Sequence, residues 1–142
     1  MTISNEKGYL LIEVMIAFTI LSIGFLGILG LVSSAIGLNR MVSDQFIANY
    51  LNMEGIEIVK SLIDANVMQG KPWNEGFSGG DFEIDYKSAF LENNSSRRIS
   101  FDSTTGSYGY FGEKQTPFVR TINIELMGAD QIKVKSTIKW TG

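Results

Sequence analysis

The stretch Val14–Asn39 reads VMIAFTILSIGFLGILGLVSSAIGLN, 26 residues with no Asp, Glu, Lys or Arg. A bilayer core needs about 20 apolar residues in a helix, so the run is long enough to cross one. Its apolar residues go all the way round, which suits lipid or a packed bundle better than the surface of a globular domain. It exceeds the apolar region of a secretory signal peptide, which runs to about 15 residues. The small residues Ser33-Ser34-Ala35, where a signal peptidase would cut, come only after a full span. A membrane-inserting N-terminal helix is therefore expected.

The rest of the 142 residues looks different. The net charge is −3, and all charged residues lie outside the apolar run. At roughly 100–200 residues per domain there is room for one globular domain. The chain has no Cys and no His. That excludes thiol and imidazole catalysis, disulfides and the common zinc sites. A carboxylate pair or a Ser-Lys arrangement would remain for an enzyme, and no spacing suggests either. The expectation is a non-enzyme with no cofactor and no metal. The slight acidity also argues against nucleic acid as a partner held by bulk charge.

N-terminal of the run stands Glu6-Lys7-Gly8-Tyr9-Leu10-Leu11-Ile12-Glu13. A carboxylate at a helix N-terminus is favoured by the helix dipole. One turn inside a membrane span, however, it costs on the order of a few kcal/mol and calls for a partner. Glu13 is therefore a candidate functional residue.

This segment, with the apolar run attached, resembles the class III leader of type IV prepilins and pseudopilins. The family pattern is a short hydrophilic leader ending in Lys/Arg-Gly, an aromatic residue, three apolar residues, a Glu and a long apolar helix. Lys7-Gly8, Tyr9, Leu10-Leu11-Ile12 and Glu13 match it in order, with Tyr9 where Phe is usual. The continuation through Gly24, Gly27 and Gly30 is more similar to the minor-pilin branch than to the major pilins. The resemblance covers roughly residues 7–38. It implies cleavage between Gly8 and Tyr9 by prepilin peptidase, N-methylation of Tyr9, and a role for Glu13 in assembly. It also implies a cytoplasmic leader and a head outside the inner membrane. An inner-membrane assembly platform would then transfer the subunit from the lipid bilayer to a filament of other pilin subunits. The nearest alternative is a pseudopilin of a type II secretion or DNA-uptake system. Outside the family, the alternative is a single-pass membrane-anchored binding module with a β ectodomain.

The helical pattern does not stop at Leu38. No Pro occurs before Pro72, and Phe46, Ile47, Tyr50, Leu51, Ile58, Val59, Leu62 and Ile63 recur at helical spacing. Gly70 followed by Pro72 is a stop signal. One helix over about 9–69 is expected, with 39–70 as its amphipathic half, 1–8 as leader and 71–142 as a β-rich head. Gly24, Gly27 and Gly30 interrupt it, each costing up to about 1 kcal/mol relative to Ala. They fit close packing between helices, or a stretch able to unwind in a fibre.

From residue 82 onward the period is two. Phe82, Ile84 and Tyr86 alternate with Glu83, Asp85 and Lys87; Ile99 and Phe101, Phe118 to Leu126, and Ile132 to Trp140 follow the same rule. Tyr108–Phe111 is a further short strand, and Gly128-Ala129-Asp130 reads as a hairpin turn. The expected fold is α+β, with the C-terminal half of the helix packed on an antiparallel meander of four or five strands. Lys133, Lys135, Lys139 and Arg97-Arg98 read as a solvated face rather than a polyanion contact. Asp81, Glu83 and Asp85 lack calcium-loop geometry. Arg120, in phase with Phe118 and Ile122, is expected to snorkel or to meet a carboxylate.

Overall fold

A computed structural model describes residues 6–128 and 130–141. Most of the expected leader, and Ala129 of the expected turn, lie outside the described residues. One α-helix, α1 (Glu6–Met68), is followed by β1 (Gly80–Glu83), β2 (Glu92–Asn93), β3 (Arg98–Asp102), β4 (Ser107–Gly109), β5 (Lys114–Leu126) and β6 (Ile132–Lys139). The chain divides into two compact units, Met1–Ser43 and Asp44–Gly142. The α+β arrangement is as expected: a long N-terminal helix packs on a small antiparallel sheet.

Helix α1 ends where Gly70 and Pro72 indicate. Gly70 has φ 71°. Its N–H donates to the Val67 carbonyl at 3.0 Å, and the Lys71 N–H donates to the Asn66 carbonyl at 3.0 Å. This pair of bonds is a Schellman stop, which fills carbonyls the last turn would leave open. The Asn66 side chain then donates to the Trp73 carbonyl at 3.2 Å and the Glu75 carbonyl at 2.9 Å, tying down the loop that leads to the sheet.

The sheet is not a meander. Strand β5 is central: β1 and β3 both pair with it, β6 also pairs with it, and β2 and β4 extend β1 and β3. All pairings are antiparallel. There are six strands rather than four or five, because the two-residue β2 is too short to show a period. The β3–β5 register shifts between Arg98 and Ser100. Pro117, which has no N–H to donate, lies in the facing segment of β5. Beside it the Thr116 hydroxyl donates to the Ile99 carbonyl at 2.5 Å.

Phe118, Arg120, Ile122 and Ile124 of β5 all point inward and are buried. Two apolar clusters lie between helix and sheet. One joins Ala48, Leu51, Ile99, Phe118 and Ile138. The other joins Val59, Phe82, Ile84, Ile122 and Ile124. Between them, in both helix and strand order, come Gly55 and Arg120. A Cβ on Gly55 would lie 2.8 Å from Ile122 Cδ1 and 2.9 Å from Ser136 Oγ. Glycine thus sets how closely the helix approaches the sheet.

Two sequence expectations are corrected here. Phe46 and Tyr50 do not face the sheet; they are exposed, and the smaller Ala48 and Gly55 share the buried face with Leu51 and Val59. The alternation over residues 82–87 also fails: Phe82, Glu83, Ile84 and Asp85 are all buried, while Tyr86 is 45% exposed. Strand β1 ends at Glu83, and the chain turns around Asp85. That carboxylate accepts the Lys87 N–H and the Ser88 hydroxyl at 3.0 Å and the Tyr110 N–H at 3.1 Å.

Candidate membrane-inserting and assembly surface

Every residue from Gly8 to Ser43 is exposed, including Tyr9 at 76% and Leu31 at 73%. Water is a poor solvent for such a surface. At roughly 25 cal/mol per Å² of apolar area, covering about half a dozen large side chains is worth as much as the stability of a small domain. The helix is long and apolar enough to cross a membrane. Three of its hydroxyls bond back to the helix. Thr19 donates to the Met15 carbonyl at 2.8 Å, Ser22 to Phe18 at 2.7 Å and Ser34 to Gly30 at 3.0 Å. These three side chains therefore offer lipid no unpaired donor.

Glu13 is the only acidic residue between Tyr9 and Asp44, and its side chain is exposed. Gly8 and Tyr9 lie within the first turns of α1, which begins at Glu6 rather than at the expected residue 9. At Gly8, Gly24, Gly27 and Gly30 a Cβ would meet nothing within 4 Å. The helix is regular through Gly24, Gly27 and Gly30. In the isolated chain these glycines relieve no contact, in contrast to Gly55.

The head holds two charged clusters whose spacing in sequence did not reveal them. Arg120 is 1% exposed. Its Nη1 donates to the Leu51 carbonyl at 3.1 Å and to Glu54 Oε2 at 2.9 Å, and its Nη2 donates to the Ile84 carbonyl. The expectation of a carboxylate partner holds, with Glu54 as that partner. One guanidinium thereby bonds helix α1 to the end of β1 across β5. The signal for it was an Arg in phase with apolar neighbours.

The second cluster surrounds Glu83. Its carboxylate accepts the Ser95 N–H at 2.8 Å, the Arg97 N–H at 2.8 Å and Arg97 Nε at 2.6 Å. Arg97 also donates to Glu92 and lies over the Tyr110 ring, 4.4 Å from its centroid. Burial alone would raise the Glu83 pKa. The hydrogen bonds from Arg97 and Ser95 outweigh that and hold it below the usual carboxylate value. The Arg97-Arg98 pair is therefore split: Arg97 turns in to Glu83, while Arg98 is exposed. Asp81 is exposed and accepts from Asn123 at 2.7 Å. Of Asp81, Glu83 and Asp85, the last two are thus structural acceptors and the first is a surface residue.

Lys133, Lys135 and Lys139 are exposed on β6, with Lys133 paired to Glu125 at 3.0 Å. No family model, no curated protein and no solved structure matches this chain.

Proposed function

We propose that this chain is a structural subunit of a type IV pilus-like filament, of the minor-pilin kind. It is made with a short leader, trimmed before Tyr9 by prepilin peptidase, held in the inner membrane by the first part of α1, and assembled from there with other pilin subunits. The observation that carries this reading is the order of residues at the start of α1. A Lys7-Gly8 pair precedes an aromatic residue, and a single carboxylate, Glu13, precedes the charge-free and wholly exposed run Val14–Asn39.

The chemistry is consistent with that order. A peptidase needs the scissile backbone extended, and Gly8 weakens the helix at that point. Cleavage creates an α-amine with an ordinary pKa of about 7.7–8.0, which methylation leaves basic. Glu13 lies one turn further on. In a staggered polymer the carboxylate of one subunit can meet the amine of the next. In an apolar filament core an unpaired ion costs several kcal/mol, so the pair acts as a register device.

The test is intact-mass measurement of the membrane fraction. The wild type is expected to begin at a methylated Tyr9, and Gly8→Val to keep the leader. Normal trimming of Gly8→Val, or a wild type that retains the leader, would overturn the proposal.

A further inference from the structure

Strand β6 is an edge of the sheet. Val119 of β5 pairs with Arg98 of β3 on one side and with Lys139 of β6 on the other. Ile122 pairs in the same way with Phe82 of β1 and Ser136 of β6. Both sides of β5 are therefore taken, whereas β6 pairs with β5 alone. Among the described residues no further backbone bond reaches β6 from its far side. Eight residues, Ile132–Lys139, thus turn alternate N–H and C=O groups to solvent. The edges at β2 and β4 are only two and three residues long.

The side chains of this edge are charged on the sheet face away from α1, although the chain as a whole is acidic. Lys133, Lys135 and Lys139 are exposed there. Lys133 is held by Glu125 at 3.0 Å; among the described residues Lys135 and Lys139 have no carboxylate within 4.0 Å. The exposed Arg98 lies on the same face, across Val119 from Lys139. On the face toward α1, Ile132 and Val134 are only half-buried. We infer that the free edge of β6 takes up, as an added strand, an extended acidic segment of another protein. Its backbone completes the ladder, its carboxylates meet Lys135 and Lys139, and its alternate apolar residues cover Ile132 and Val134.

A second copy of β6 is a poor occupant. Slid past itself antiparallel, with the apolar faces kept together, it sets Lys135 against Lys135, Lys133 against Lys139, Lys133 against Lys135 or Lys135 against Lys139. In parallel register each lysine meets its own copy. Like charges directly opposite are destabilising, and edge lysines are a common guard against self-pairing. The residues that keep copies apart are the ones that favour an acidic strand. A flexible polyanion meets the lysines but leaves the row of backbone groups unpaired.

The inference stands apart from the filament reading and is tested on the full chain in detergent. The probe is a labelled peptide of alternating Glu and Val, as long as β6, and binding is read by fluorescence anisotropy. The double variant Lys135→Gln, Lys139→Gln is expected to bind it at least about fivefold more weakly. Both lysines are exposed, so the denaturant midpoint of the head should not move. The same peptide methylated on every backbone nitrogen keeps its charges and loses its donors, and is expected to bind at least about tenfold more weakly. Bound peptide should also slow amide hydrogen exchange at alternate residues of β6. Equal binding of the methylated and unmethylated peptides overturns the inference, as does single-stranded DNA that binds as tightly as the peptide. So does an unmethylated peptide that fails to bind at millimolar concentration.

Discussion

Residues 8–43 and 44–68 belong to the same helix, yet they answer to different surroundings. In the first stretch no side chain is covered, and the sequence offers no polar face. In the second, Ala48, Leu51, Gly55 and Val59 are buried against the sheet, while Glu57, Lys60 and Asp64 face outward. Isolated helices in water are marginal, and most helical stability in proteins comes from packing an amphipathic face. The second stretch has that packing within the chain. The first has no such packing within the chain. The carboxylates in the two stretches differ in the same way: Glu13 is exposed, and Glu54 is paired with Arg120.

The largest effect is expected at Glu13. Under the filament reading, Glu13→Val should still insert and still be trimmed, because neither step uses the pair. It should be nearly absent from sheared surface fibres while present in the membrane pool. If Glu13→Val enters fibres as well as wild type does, the two stretches differ only in solvent, and Glu13 is an interfacial carboxylate or a recognition residue for processing.

Arg120→Ala attacks the other stretch. It leaves Glu54 without its cation and the Leu51 and Ile84 carbonyls without this donor. Breaking a buried ion pair by removing one partner costs about 3–5 kcal/mol. Denaturant unfolding of the detergent-solubilised chain should show a loss in that range, with leader removal and membrane retention unchanged. A loss below about 1 kcal/mol would mean that the apolar clusters alone hold helix to sheet.

These two residues also mark what could be read from sequence. Composition and period alone disclose the helix, its Gly70 stop and most of the sheet, because each rests on local patterning. The outward turn of Phe46 and Tyr50 was not legible. Both are large and apolar at helical spacing, and only the close approach at Gly55 shows that the small residues face the sheet. Glu83 misled for a related reason. Alternation assumes a strand, but β1 stops there, and segment 95–97 folds over its carboxylate from a distance in sequence no period can report. Glu13 stood out as a candidate because the pattern around it is contiguous, residues 6–13 directly before the apolar run.

Glu83→Gln sharpens the comparison through pH. The Glu83 pKa is held below its ordinary 4.5, so the unfolded chain takes up a proton before the folded one does. The stabilisation is complete above that ordinary value and is lost as pH falls through the lower, folded value. At pH 7 the substitution should cost about 2 kcal/mol, in the range for hydrogen bonds to a charged group. The gap between the two proteins should narrow as the pH drops below about 4.5. A gap constant from pH 7 to pH 3 would show that packing, not charge, accounts for the cost.

The smallest effects come from one substitution made in both stretches. Gly→Ala raises helix propensity by up to about 1 kcal/mol wherever the helix is otherwise unchanged. At Gly55 the new methyl would lie 2.8 Å from Ile122 Cδ1, 2.9 Å from Ser136 Oγ and 3.1 Å from Arg120 Cδ. Overpacking costs about 1–3 kcal/mol, which exceeds the gain, so Gly55→Ala should lower the stability of the head by about 1 kcal/mol. At Gly24, Gly27 and Gly30 nothing lies within 4 Å. Replacing all three should leave the denaturant midpoint of the head and membrane retention unchanged, and helicity measured by circular dichroism the same or slightly higher. The informative readout is then the fibre. If the triple variant assembles normally, with a regular helix over residues 22–30 in both fibres, the glycines serve neither unwinding nor close packing. If it inserts but assembles poorly, the space these glycines leave open is filled, or their helix unwound, only in the assembled state.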